Sequence, residues 1–263
     1  MTIASLLEPI TGKSGAVRLS QASDWMQGRT LYGGASALVG YTMATRAFTD
    51  LPPLRAAQVG FVAPVGEDVE LSAEIVRQGR NVTQVRSEIH SEGKVALTAF
   101  WLFANGREAN AVRAADPMED WPGGPDENPQ AMKGPGQQAG PSFIQNNFEI
   151  RFGQSKEGNH GATIRRWARL TEDHDLNPVA KLILMGDVMP PGAMRIMERP
   201  GPISSINWSF NVLDPETQSP DGWYLAENAS KHADAGYSSE RLRMWDAEGK
   251  QVLEGLQCVA VFG

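Results

Sequence analysis

The sequence predicts an α+β protein built from two copies of one small unit, each a long apolar helix wrapped by an antiparallel β-sheet. Three observations carry that prediction. The chain repeats itself: Phe61-Val-Ala-Pro64, an alternating strand, a turn and Glu92-Gly-Lys-Val-Ala-Leu97 recur as Phe210-Asn-Val-Leu-Asp-Pro215, alternating strands and Glu248-Gly-Lys-Gln-Val-Leu253. The repeat, about 150 residues, far exceeds the roughly 20–50 residues of a solenoid unit, so whole units are fused in tandem. A helix-like stretch with almost no charge precedes each strand set, the pattern of a helix buried on all sides.

Gly33-Gly34 opens the first helix, which continues from Ala35 to Arg46 with nothing charged before Arg46, and Asp50 and Pro52-Pro53 end it. Val69, Leu71, Ala73 and Ile75 alternate with Glu70, Ser72 and Glu74, giving a strand with one buried and one wet face. Gln78-Gly79-Arg80-Asn81 supplies a turn, and residues 82–90 return as the partner strand. Ser91-Glu92-Gly93 turns again into 95–103, a nearly continuous apolar run suited to a central strand.

Between Asn105 and Pro141, twelve of thirty-seven residues are Gly or Pro. That density excludes regular structure and sets a boundary. The predicted organisation is an N-terminal unit over 1–104, a linker over 105–141 and a C-terminal unit over 142–263. In the second unit, 148–152 and 163–169 alternate as strands. Asn177-Pro178 pairs an N-cap with proline at the first helical position, and the helix is expected to run through 179–189 to Pro190-Pro191. Strands over 203–213, 223–229, 237–245 and 251–262 complete the unit.

Composition narrows the function classes. A net charge of −7 without a Lys/Arg run argues against nucleic acid or an anionic membrane as partner. The start, Met1 to Glu8, lacks the basic flank and apolar core of a signal peptide, and no uncharged apolar stretch reaches the length of a membrane span. The cytoplasm is the expected location. Cys258 is the single cysteine, which excludes a disulfide framework and a cysteine-rich zinc site. The four histidines, His90, His160, His174 and His232, show no paired metal-ligand spacing.

The run Gly28-Arg-Thr-Leu-Tyr-Gly33-Gly34, the 61–64 strand and the hairpin Glu74-Ile-Val-Arg-Gln-Gly-Arg-Asn81 resemble the bacterial type II, TesB-like acyl-CoA thioesterases. The resemblance spans about 25–103 and 148–262, and is closer in the first half. It implies a tandem (double) hotdog fold, an acyl-CoA substrate and assembly into a homodimer or larger symmetric oligomer. No cofactor is implied beyond the coenzyme A that belongs to the substrate, and no metal.

Asp187 is the only acid between Pro178 and Pro190, among Leu, Ile, Met, Gly and Val. An unpaired buried carboxylate costs several kcal/mol or raises its pKa. On the residues alone it is either an acid near a helix end, bonded to a loop amide, or a catalytic group. The resemblance favours the second, because the family carries an acid in a stretch similar to Leu184-Met-Gly-Asp187. It also implies a hydroxyl on the strand after the helix and a glutamine on the last strand, which fit Ser205, or Ser204 under a one-residue slip, and Gln257. Where the family often shows an acid and a histidine after the hydroxyl, this chain has Asn207 and Trp208.

Aligning the copies through Phe61 and Phe210 sets Ala56 against Ser205, and aligning the Glu-Gly-Lys turns sets Trp101 against Gln257. The first helix has no acid. The polar set is confined to the second copy, which predicts one reaction centre per chain. The chemistry implied is thioester hydrolysis by direct water attack, with Asp187 as general base. Gly33 and Gly34 would offer oxyanion donors at a helix N-terminus, or serve only close helix packing. Arg77 and Arg80 beside a turn are candidates for the phosphates of coenzyme A. A covalent acyl-enzyme is disfavoured by the absence of a Gly-x-Ser-x-Gly elbow, and Cys258, next to Gln257, reads as core. Two other functions fit the same fold: a non-catalytic acyl-CoA binder, and a hotdog hydratase or dehydratase. The second would resemble its relatives in using a histidine with an acid in or near a central helix, and neither apolar helix here contains a histidine.

Overall fold

The computed structural model of the chain describes residues 2–131, 140–154, 160–172 and 175–262. The first half contains α1 (Ile3–Leu7), β1 (Gly15–Arg18), β2 (Met26–Gln27), β3 (Thr30–Leu31), α2 (Gly33–Ala47), β4 (Leu54–Phe61), β5 (Asp68–Gln78), β6 (Val82–Ser91) and β7 (Lys94–Ala104). The second contains α3 (Ser142–Asn147), β8 (Phe148–Phe152), β9 (Thr163–Leu170), α4 (Pro178–Gly186), β10 (Ile203–Val212), β11 (Tyr224–Asp234), β12 (Tyr237–Asp246) and β13 (Gln251–Val261). Both predicted helix starts and the order of the main strands are found in place.

Two features differ from the reading of the sequence. The wrapping sheet is one, not two: eleven antiparallel strands run in the order β1-β5-β6-β7-β4-β10-β13-β12-β11-β9-β8. The halves join where β4 pairs with β10, from Asn207 opposite Gly60 to Asn211 opposite Ala56. The second helix is also short, nine residues against fifteen for α2. Pro190 and Pro191 do not stop it. It ends at Gly186, because the segment beyond is drawn onto the sheet, where the Asn228 amide donates to the carbonyls of Met189 and Pro190.

The repeat is visible in the register. Gln58 lies opposite Ser209 with the pairing symmetric on either side, so a local two-fold axis passes between them. Bulges then recur at equivalent places: Leu54/Ala56 and Ser205/Asn207, Ile75/Arg77 and Ser230/His232, Ile89/His90 and Met244/Trp245. A bulge re-aims the side chains that follow it, so shared bulges give both units the same inward and outward faces. This register corrects the sequence alignment at one point. Leu54, not Ala56, is the counterpart of Ser205. Trp101 remains the counterpart of Gln257, since the two face Ala57 and Trp208 respectively, which the two-fold relates.

The apolar core lies between the sheet and the helices, which pack against each other with the N-terminus of α2 beside the C-terminus of α4. The Gly/Pro-rich stretch is not structureless. Pro125–Glu127 forms a 3₁₀ turn, and Gln130 bridges to Arg151 along the outer strand β8, covering a sheet edge that would otherwise be open to pairing. Trp121 meets Trp167 edge-on at 5.4 Å, closing a second, smaller apolar cluster with Trp223, Leu225 and Trp245. Among the described residues, no helix is long and apolar enough to cross a membrane.

Candidate active site

The acid is set by the two ends of two helices. The Asn177 side chain accepts a hydrogen bond from the Ala180 amide at 2.9 Å, fixing the start of α4. At the other end a Cβ on Gly186 would stand 2.7 Å from the Trp208 ring, so only glycine lets the helix lie this close to β10. Asp187 follows as the C-cap, with φ −115° and ψ 16°, outside the helix that the sequence placed it in. Its carboxyl points at the start of α2. A Cβ on Gly33 would lie 2.1 Å from Asp187 Oδ2, and one on Gly34 2.4 Å from the Leu184 carbonyl oxygen. The glycine pair therefore admits the end of α4 onto the N-terminus of α2. There the Gly34 amide donates to the Asp187 carboxylate, and the helix dipole favours the negative form. The Tyr32 hydroxyl donates to the Leu184 carbonyl at 2.6 Å, pinning the same junction.

The strands bring the other two residues. Gln257 Nε2 donates to Asp187 Oδ1 at 2.5 Å, and Ser205 Oγ donates to Gln257 Oε1 at 3.4 Å. Gln257 is buried, whereas Ser204 is exposed, so Ser205 is the hydroxyl that meets the set. The bulge at Ile206 is what puts Ser205 and Trp208 on the same, helix-facing side. The two departures from the family pattern have places in this bulge. Asn207 accepts from the Cys258 amide at 3.0 Å, and Trp208 is fully buried beneath Gly186.

Burial pushes the Asp187 carboxyl from 3.8 up to about 7, and the bonds from Gln257 and Gly34 hold it from rising further. The side chain is half-buried, so solvent reaches it. A base that titrates near neutrality is suited to accept a proton from water and release it again. The Tyr32 phenol is held well above its ordinary value by burial and then by the Asp187 charge, so it stays a neutral donor.

Other predicted residues stand elsewhere. Arg77 and Arg80 lie at the far end of the β5–β6 hairpin, whereas the start of β5 follows Val65, whose amide is bonded to Thr30 just before α2. At about 3.3 Å per residue the hairpin tip is roughly 30 Å along the strand from that end, and the structure does not bring these arginines to Asp187. Cys258 is half-buried on the face of β13 away from Gln257, not in the core. His174 lies outside the described residues, as do 132–139 of the linker. Among the described residues, no cluster of His, Cys, Asp or Glu could hold a metal. A cleft of about 500 Å³ opens between α4, the end of β9 and the 218–222 loop, but none of Asp187, Ser205 and Gln257 lines it. Sequence reasoning missed Tyr32 and did not place Phe61, whose ring tip is 3.1 Å from the same point as Asp187 Oδ2 at Gly33. Both lie within the motifs quoted above, which was the available signal.

Comparison with known proteins bears on the family and the fold. Residues 21–104 match the family model of the acyl-CoA thioesterase N-terminal domain, and 122–261 match that of the acyl-CoA thioesterase C-terminal domain. A conserved hot dog fold protein of unknown function from Alicyclobacillus acidocaldarius is similar at 20% identity and TM-score 0.80, over 97% of each chain. The acyl-CoA thioesterase II TesB2 from Mycobacterium marinum is similar at 16% identity and TM-score 0.73, over 97% of this chain and 98% of that one. The dehydratase domain of RzxB from Pseudomonas fluorescens follows at 13% identity and TM-score 0.55, over 93% of each chain. At these identities the likenesses establish the hotdog fold alone. A search of curated protein sequences gives no match.

Proposed function

The chain belongs to the acyl-CoA thioesterase family, and from that premise we propose that it hydrolyses an acyl-CoA thioester by direct attack of water. The observation that carries the reading is the bonded set Ser205–Gln257–Asp187 at the N-terminus of α2. Each member has a defined role in it. The Ser205 proton is committed to Gln257, so its oxygen presents lone pairs and accepts one proton of the water. Gln257 holds Asp187 by one oxygen. Asp187 takes the other water proton as the oxygen attacks the thioester carbonyl. The C–S bond then breaks, and the thiolate of coenzyme A leaves with a proton returned from the Asp187 carboxyl, giving free acid and free thiol.

The Gly34 amide is engaged by Asp187, so it serves the base. Stabilisation of the developing oxyanion falls to the Gly33 amide and the dipole of α2. Nothing in this scheme calls for a metal or a redox cofactor. The deciding experiment is release of free coenzyme A thiol from acyl-CoAs of graded chain length. Turnover that disappears in Asp187→Asn supports the reading. Tight acyl-CoA binding without release at any chain length replaces hydrolysis with binding alone.

A further inference from the structure

We propose that Glu240 is a positioning residue for this site, holding the segment that carries Asp187 against the strand that carries Gln257; the inference rests on the hydrolytic reading above. Glu240 is fully buried in the middle of β12, directly opposite Gln257 in the β12–β13 register. Its two oxygens are used on the chain just past Asp187. Oε2 accepts from the Gly192 amide at 2.8 Å, and Oε1 accepts from the Ala193 amide at 3.1 Å and the Ser238 hydroxyl at 2.6 Å. Ser238 in turn bonds Ser230 at 2.7 Å.

The same segment has no slack elsewhere. Asn228 on β11 holds the Met189 and Pro190 carbonyls. A Cβ on Gly192 would sit 2.1 Å from the Ala162 carbonyl oxygen. Residues 189–193 are thus fastened to β11 and β12 and packed against the residue that precedes β9, shortly after the acid. Glu240 connects that fastening to the neighbour of Gln257, so it sets the separation of the two groups that share a 2.5 Å bond.

The other half of the molecule argues against a purely architectural carboxylate. The two-fold makes Val85 the counterpart of Glu240, since Val85 faces Trp101 as Glu240 faces Gln257. Ala73 is likewise the counterpart of Asn228. Val85 is fully buried and the unit around it is complete without an acid or an amide there. The fold needs neither polar group at these positions. They occur where a loop bearing Asp187 must be fixed.

Glu240→Gln tests this, because Gly192 and Ala193 each donate to a separate oxygen of Glu240 and the amide replaces one of those acceptors with an NH2 donor that faces an N–H group. A displacement of about 1 Å at a reacting group costs on the order of 10²-fold in rate, so kcat per folded molecule should fall at least about tenfold with KM little changed. Ser238→Ala, which keeps both amide bonds, should give a smaller fall of the same kind and guards against a Glu240 variant that does not fold. The Asp187 carboxyl should also be titrated by carbon NMR in all three proteins, a readout that does not depend on turnover. Loosening the segment admits water, which lowers the midpoint, and stretches the bond from Gln257, which raises it. Burial is the larger of the two influences, so the midpoint should move down towards the ordinary carboxylate value. A melting temperature that falls while kcat per folded molecule and the Asp187 midpoint stay at wild-type values overturns the proposal. Absence of turnover in the wild type with the midpoint still shifted in the variants sinks the hydrolytic reading and leaves the positioning intact.

Discussion

At one end of the helix pair, Asp187, Ser205 and Gln257 meet. At the other, the local two-fold and the helix N-caps put Thr42, Leu54 and Trp101 in their places. The frames are alike down to their bulges, yet the contents are opposite. Trp101 is buried, donates to Ser87 Oγ at 2.8 Å and lies edge-on to Tyr41 at 5.5 Å. Phe103 stacks on Tyr41 beyond it. The volume that holds a hydrogen-bonded polar set in one copy is filled by aromatic rings in the other. The two ends balance each other: a buried polar set costs stability, and an apolar counterpart in the same core offsets it.

The sharpest break in the comparison is Asp187→Asn, nearly the same shape without the base. A general base contributes about 10²–10⁴-fold, and coenzyme A release should fall by that much while acyl-CoA binding persists. Retention of most of the wild-type kcat would remove Asp187 from the chemistry. In the wild type, kcat should rise with pH with a midpoint of about 7, since the carboxylate is the active form. Stability should move the other way. The folded carboxyl holds its proton up to about 7 while the unfolded chain loses it near 3.8, so the stability this group contributes is whole below 3.8 and lost as pH rises through 7. The asparagine variant escapes that loss. Above pH 8 it should be the more stable protein by at most about 4 kcal/mol, and by less to the extent that solvent reaches the half-buried carboxylate. Chemical denaturation of both proteins at acid and alkaline pH checks the crossover.

The apolar copy should break differently. Trp101→Ala removes packing, and truncating a buried Trp costs about 3–5 kcal/mol, with kcat per folded molecule little changed. Thr42→Asp puts a carboxylate at the counterpart of Asp187 without a glutamine or serine to meet it. It should destabilise by several kcal/mol and create no second centre. Active-site titration giving two productive acyl-CoA sites per chain, in the wild type or in this variant, would end the one-centre reading.

Gln257→Ala sharpens the polar side. Hydrogen bonds to charged groups are worth about 1.5–3 kcal/mol, so kcat should fall by roughly 10- to 100-fold. The bond from Gln257 lowers the carboxyl pKa, so its loss should move the midpoint of the pH profile upward. A lower kcat with an unmoved midpoint would show that Gln257 acts on the substrate and not through Asp187.

The sequence carried the repeat, the helix starts and the polar set, because each rests on local chemistry: the Asn177-Pro178 cap, period-two strands, and single polar residues in apolar runs. Three things were not legible. The joining of two sheets into one depends on β4 meeting β10, a contact across most of the chain that alternation cannot encode. The early end of α4 depends on Asn228 and Glu240, far along the sequence, outcompeting further helical turns. The counterpart of Ser205 was misread by two residues, since aligning Phe61 with Phe210 follows residue identity, whereas the register relates Phe210 to Val59. Glu240 itself was hidden because, in an alternating strand, one acid looks like another until its face is known.

The smallest effect belongs to Ser205, whose counterpart is Leu54. Its bond to Gln257 is long, 3.4 Å, and joins neutral groups. Neutral hydrogen bonds contribute about 0.5–1.5 kcal/mol, so Ser205→Ala should lower kcat by roughly two- to tenfold and leave the midpoint near 7, because Ser205 does not touch the carboxylate. Ser205→Thr keeps the oxygen and adds a methyl group that restricts the side chain to fewer rotamers. It should match or modestly exceed the wild type if the hydroxyl has only to hold water. Ser205→Leu reproduces the apolar copy at this one position. It should remove more activity than alanine does, by filling the space between Gln257 and the water. If leucine is as active as alanine, the hydroxyl is not beside the attacking water, and the difference between the two copies at this position concerns packing alone.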